Sequence, residues 1–131
     1  MLTRAVILPA TALLVPGAAG ATDPLAPMRL AVCAALANLA ENGPPLVLAH
    51  ASGPVRGPDV FRPSLAAAGI ADHMLPDDVW TPWATRPALP PGGTAASVAL
   101  LCLGMALGER AADVLALEAV SYTHLTLPTI R

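Results

Sequence analysis

The sequence predicts an α/β domain, a three-layer sandwich with a mainly parallel central sheet, of which residues 1–119 hold about the N-terminal half. Two observations point there. Short apolar runs, too short for core helices, alternate with longer segments of helical periodicity. The order run, helix, run over the first fifty residues is that of a βαβ unit, whose strands lie parallel with a right-handed crossover.

The elements follow in order. Thr3–Leu8 is an apolar run closed by Pro9 and reads as a buried strand. Gly17–Asp23 is a loop of small residues. Asp23 offers an N-cap with Pro24 at the first helical position. Leu25, Met28, Val32, Leu36 and Leu39 then recur at helical spacing until Asn42-Gly43-Pro44-Pro45 stops the helix. Leu46–Ala49 is the next strand. Ser52–Pro63 is a Gly- and Pro-rich loop, and Ser64–Ala68 is one helical turn closed by Gly69. Ile70–Leu75 reads as a short strand, and Pro76–Gly93 as irregular chain carrying both tryptophans. Thr94 caps a third helix running to about Arg110, with Val98, Leu101, Cys102 and Met105 on one face. Asp113–Ala119 is the following strand.

Composition narrows the function classes. All seven basic residues are Arg and the formal charge is −2, so a basic surface for nucleic acid is missing. The hydrophobic share of 55% excludes a disordered chain. The longest largely apolar stretch, Ala95–Leu107, falls short of the ~20 residues of a membrane span. Cys33 and Cys102 sit among apolar neighbours in predicted helices and read as small buried hydrophobes; their spacing indicates neither a metal site nor a disulfide framework.

Residues 120–131 change character. Val-Ser-Tyr-Thr-His-Leu-Thr-Leu-Pro-Thr, Val120 to Thr129, resembles one translated frame of a transposon-end adapter used in sequencing libraries, over ten consecutive residues. The expectation is that this tail is not biological, that the natural gene continues beyond Ala119, and that His124 is no site residue.

Three segments carry a family resemblance: Pro9-Ala10-Thr11-Ala12-Leu13-Leu14-Val15-Pro16, then Met28-Arg29-Leu30-Ala31, then Leu46-Val47-Leu48-Ala49-His50-Ala51-Ser52-Gly53-Pro54. In this order they resemble the N-terminal half of actinobacterial proteins similar to the class III extradiol ring-cleavage dioxygenases. Arg62-Pro63-Ser64-Leu65 with Gly69, and the Leu89-Pro90 run, fit the same layout more loosely. The resemblance implies Fe(II) held by two His and one carboxylate, a donor set suited to that ion with positions left open for catecholate and dioxygen. The first His of that pattern falls at Ala10, whose methyl group has no lone pair to give. His50 falls near the second ligand, at a strand end where sites gather in parallel sheets, and otherwise reads as a loop or capping histidine; the resemblance implies a carboxylate ligand from beyond these residues. The implied activity is therefore absent or degenerate: no cofactor is expected, and Fe(II) only if the ancestral site survives.

Other polar groups carry less. His73 with Asp72, Asp77 and Asp78 reads as a solvated loop cluster. Trp80 and Trp83 read as cover over a core edge. Gly92-Gly93-Thr94 reads as a plain helix start; its backbone N–H groups could serve an anion, but it lacks the Walker A spacing and its Lys. Ser52, Ser64 and Ser97 lack a nucleophile-elbow context. A truncated sheet leaves an edge open to pairing with a second copy.

The competing reading is a secreted or envelope-associated binding domain. Met1–Arg4 supplies a positive start, Ala5–Val15 an apolar run and Ala19-Gly20-Ala21 a small-x-small cleavage site. Pro9 interrupts that run, which favours the strand and a cytoplasmic protein. N-terminal sequencing of the expressed protein is expected to return Met1 or Leu2 as the first residue; a start at Thr22 supports export instead.

Overall fold

The computed structural model describes residues 4–120, so Thr3 and the tail from residue 121, His124 included, lie outside the described part. Two helices and three strands make the frame: α1 (Ala26–Ala40), β1 (Leu46–His50), β2 (Arg56–Asp59), α2 (Thr94–Leu107) and β3 (Leu115–Ala119). Short 3-10 turns at Ala12–Leu14, Ala66–Ala68, Asp72–Met74, Asp77–Trp83 and Gly108–Asp113 join them.

The mixture of helix and strand is that of an α/β chain. The sheet, however, is small and mixed, not mainly parallel within a three-layer sandwich. Its strand order is β1-β3-β2, with β1 parallel and β2 antiparallel to β3. α2 packs on the sheet and α1 packs on α2. The opposite sheet face carries Leu46, Leu48 and Leu115, each about half exposed.

The expected first strand does not form among the described residues. Residues 4–10 are irregular and Ile7 is 95% exposed, while Val6 and Leu8 only rest against the core. β1 takes its parallel partner instead from β3, so the helix crossing between parallel neighbours is α2 rather than α1. Leu14 and Val15, just downstream, are fully buried.

α1 begins at Ala26, three residues after the expected cap. Asp23 is drawn away by Arg29, whose Nη1 lies 3.0 Å from Asp23 Oδ1 and 3.1 Å from the Leu14 carbonyl oxygen. That hydrogen bond holds the Asp23 carboxyl below its ordinary value, with the guanidinium charge adding to it against a small desolvation cost. Of the expected apolar face, Val32 and Leu36 are buried, and Met28 is 45% exposed.

α2 is the centre of the core. Val98, Leu101 and Cys102 face inward as expected, but Ala96, Ser97, Leu100 and Leu103 are buried too. The reason is position: the sheet covers one side of α2, while α1 and the Asp77–Trp83 turn cover others. Burying each of these leucines stabilises the fold by about 2 kcal/mol. With its 3-10 extension the segment Thr94–Asp113 spans 20 residues, long and apolar enough by composition to cross a bilayer, yet half of it is buried inside the fold as a core helix would be.

Ile70–Leu75 is not a strand. Asp72–Met74 forms a 3-10 turn, Leu75 is buried, and the Trp80 indole donates to the Asp72 carbonyl oxygen at 3.1 Å. Trp83 is buried against Gly104 of α2, at which a Cβ would crowd the ring. The turn at Ala66–Ala68 ends on Gly69 at φ +82°, as expected.

β2 lies inside the expected Ser52–Pro63 loop, since Arg-Gly-Pro-Asp has no strand-forming residue. It pairs because Gly57, at φ +92°, lets the backbone close on β3; a Cβ there would overlap the Ala116 carbonyl oxygen. Gly57→Ala is expected to lower stability by about 2–4 kcal/mol, from left-handed strain plus overlap. Gly69→Ala, at similar φ with open space around it, should cost only about 1 kcal/mol. Urea unfolding of the two variants checks the difference, and equal midpoints would remove the close-approach argument.

Candidate functional site

Two sites emerge, one open and one closed. The open one is a groove of about 1120 Å³ beside β1, which is an edge strand among the described residues. One wall is the irregular segment 4–10, and the other is β1 itself. Leu36 and Leu39 of α1 and Ala95, Val98 and Leu103 of α2 form its floor. The walls are mostly aliphatic. The polar groups on the rim are Arg4, Asn42 and His50, with Arg4 held by Asn38 Oδ1 at 3.2 Å.

The structure brings Ala10 and His50 to this one groove, although forty residues separate them in sequence. Residue 10 is exposed there, and so is His50 at the end of β1. Among the described residues no carboxylate lines the groove beside His50. Along β1 burial alternates, with Val47 and Ala49 turned toward the core and Leu46, Leu48 and His50 turned away. The nearest strand carboxylate, Glu118, is the ladder partner of Ala49 and so lies on the core face, opposite His50. Among the described residues no three His, Cys, Asp or Glu side chains are grouped for a metal. Among the described residues lining the groove, His50 is the one member of a two-His, one-carboxylate donor set.

The closed site is built around Glu118, whose side chain is 1% exposed. Its Oε1 accepts from Arg56 Nη1 at 2.9 Å, and its Oε2 accepts from the Gly93 N–H at 2.6 Å. Gly93 is the N-cap of α2. The Gly92-Gly93-Thr94 segment is a helix start as expected, and its backbone N–H serves one of the chain's own carboxylates, stabilised by the helix N-terminus and by a guanidinium. A Cβ at Gly93 would stand 2.8 Å from Oε2, so glycine is required for the approach. Arg56 completes the cluster. Its Nη2 donates to the Pro91 carbonyl oxygen at 3.0 Å, and its guanidinium lies 4.7 Å from the centre of the Phe61 ring.

Ser97 works beside this cluster as a tie. Its hydroxyl donates to the Gly92 carbonyl oxygen at 3.2 Å and accepts from the Ser64 N–H at 2.9 Å. The Asp72, His73, Asp77 and Asp78 group is exposed, and Asp72 comes within 3.9 Å of Arg62. It converges on nothing.

The two thiols share the α1–α2 contact. Cys33 Sγ lies 4.0 Å from the Cys102 carbonyl oxygen. Burial pushes the Cys102 thiol up to about 12, with the neighbouring Cys33 adding to the rise and Arg29 opposing it. Cys33 is raised for the same first reason, against the pull of Arg29.

Glu118, Arg56 and Gly93 were not joined from sequence. One signal existed: Glu118 is the single charge in Val114–Val120, and a lone carboxylate in a buried strand must find partners. Glu118→Gln keeps the shape and removes the charge. It is expected to cost about 2 kcal/mol, below the range for a fully buried pair because Arg56 is 41% exposed. Chemical denaturation measures this, and an unchanged midpoint would show the cluster to be dispensable.

No family model, no curated protein and no solved structure matches this chain.

Proposed function

We propose that this chain is the N-terminal half of an extradiol dioxygenase-like protein in which the groove beside β1 is a binding surface for a planar apolar molecule, not an iron site. The observation that carries this reading is the pairing of Ala10 with His50 in one aliphatic groove. The two positions that the resemblance assigns to metal ligands both line it, and one of them is an alanine. Glu118 is committed to Arg56 and Gly93 on the other sheet face and has no free oxygen to turn toward His50. What remains is apolar surface with an imidazole on its rim, which suits a ring bearing one or two hydroxyl groups.

A cytoplasmic protein that retains residues 1–21 is part of this reading. Leu14 and Val15 are 0% and 2% exposed, and the Leu14 carbonyl oxygen accepts from Arg29. Removing them with a leader would forfeit roughly 4 kcal/mol of apolar burial and strand a half-buried guanidinium contact. Export is the weaker reading for that reason. The open β1 edge, with Leu46 and Leu48 exposed beside it, supports pairing with a second copy. No role with nucleic acid is proposed.

Protein grown in iron-supplemented medium is expected to carry far less than one iron per chain and to leave catechol uncleaved. Catechol added at millimolar concentration should shift the NMR signals of His50 and Val47 saturably. Stoichiometric iron with ring cleavage would overturn the degenerate-site reading, and unmoved His50 and Val47 signals would remove the binding surface.

A further inference from the structure

We propose that Cys33 and Cys102 form a redox-active dithiol that closes to a disulfide across the α1–α2 contact in the presence of a small-molecule disulfide of the glutathione type. They are the chain's two cysteines, 69 positions apart, and the fold sets them on facing stretches of two packed helices. The sulfur of Cys33 is directed at the backbone of Cys102, 4.0 Å from its carbonyl oxygen. One turn to either side of Cys102, the α2 positions are Ala99 and Ala106, both packed against the core. Small residues at these positions let helix backbones approach closely, as a disulfide requires.

Access differs between the two thiols, and the difference orders the chemistry. Cys33 is partly exposed and Cys102 is fully buried. The Cys33 thiolate attacks one sulfur of the reagent, whose S–S bond breaks; one reduced thiol leaves, and a mixed disulfide remains on Cys33. The Cys102 sulfur then attacks the Cys33 sulfur, and its proton passes to the departing sulfur of the reagent, which leaves as the second reduced thiol. The protein loses two hydrogens and two electrons stay with the two released thiols, so the sequence balances. Because Cys102 reacts only inside the helix contact, it serves as the resolving partner and is protected from outside reagents. The closed form holds α1 to α2, and thereby fixes the floor of the groove, to which both helices contribute.

The full chain is incubated with oxidised glutathione and examined by intact mass and by non-reducing digestion. The expected result is a loss of two hydrogen atoms and a peptide linking Cys33 to Cys102. The melting temperature should rise on the order of 10 °C, reversibly on reduction. Cys102→Ser should instead retain a glutathione adduct on Cys33, and Cys33→Ser should leave Cys102 unmodified in the folded chain. A stable glutathione adduct on Cys33 of the unaltered protein would overturn the proposal, as would a link only between two chains or no reaction at either cysteine.

Discussion

The architecture depends on one buried carboxylate. Glu118 stands in the middle strand of the sheet, and a charge taken from water there is tolerable only with partners on both oxygens. Arg56 supplies one, and the Gly93 N–H at the start of α2 supplies the other. Those two contacts join β2, β3 and the core helix at a single point. The rest of the region then follows. β2 has no apolar side chain of its own to bury, so it is held on the sheet by Arg56 and by the close approach that Gly57 permits. The loop before α2 is fixed through Arg56 to Pro91 and through Ser97 to Gly92.

The same constraint separates structure from function. A strand presents neighbouring side chains to opposite faces, so committing Glu118 to the core face withdraws it from the face on which His50 ends β1. The groove is left with an imidazole, an aliphatic lining and Ala10. Among the described residues, then, the strand carboxylate serves the core, and the groove keeps its aliphatic lining with His50 beside it.

Much of this was legible in the residues, unevenly. β1, β3 and the body of both helices could be read because apolar runs and spacings are local properties: Val32 against Leu36, Val98 against Leu101 and Cys102, and the run Leu46–Ala49, which reads as a buried strand although Leu46 and Leu48 are half exposed. Local signals misled where a distant partner decided. Asp23 looks like a cap until Arg29 claims its carboxylate. Residues 4–8 look like a strand, but β1 gives its one paired edge to β3, 69 residues along in register. Arg-Gly-Pro-Asp looks like a loop because its reason for pairing, Glu118, lies across the ladder. His50 stands out through the family resemblance and its strand end, and the structure places it on the groove. The Glu118 cluster could not be assembled, since its three members come from three separate segments.

Trp83 carries a consequence of a different kind. Its ring is wedged on Gly104, and its indole N–H is buried without an acceptor among the described residues. An indole in such a dry, unpartnered setting emits at short wavelength, whereas Trp80, bonded to a carbonyl near the surface, emits further to the red. The chain therefore contains its own optical gauge of whether the Pro-rich loop is seated on the core helix, readable without any added label.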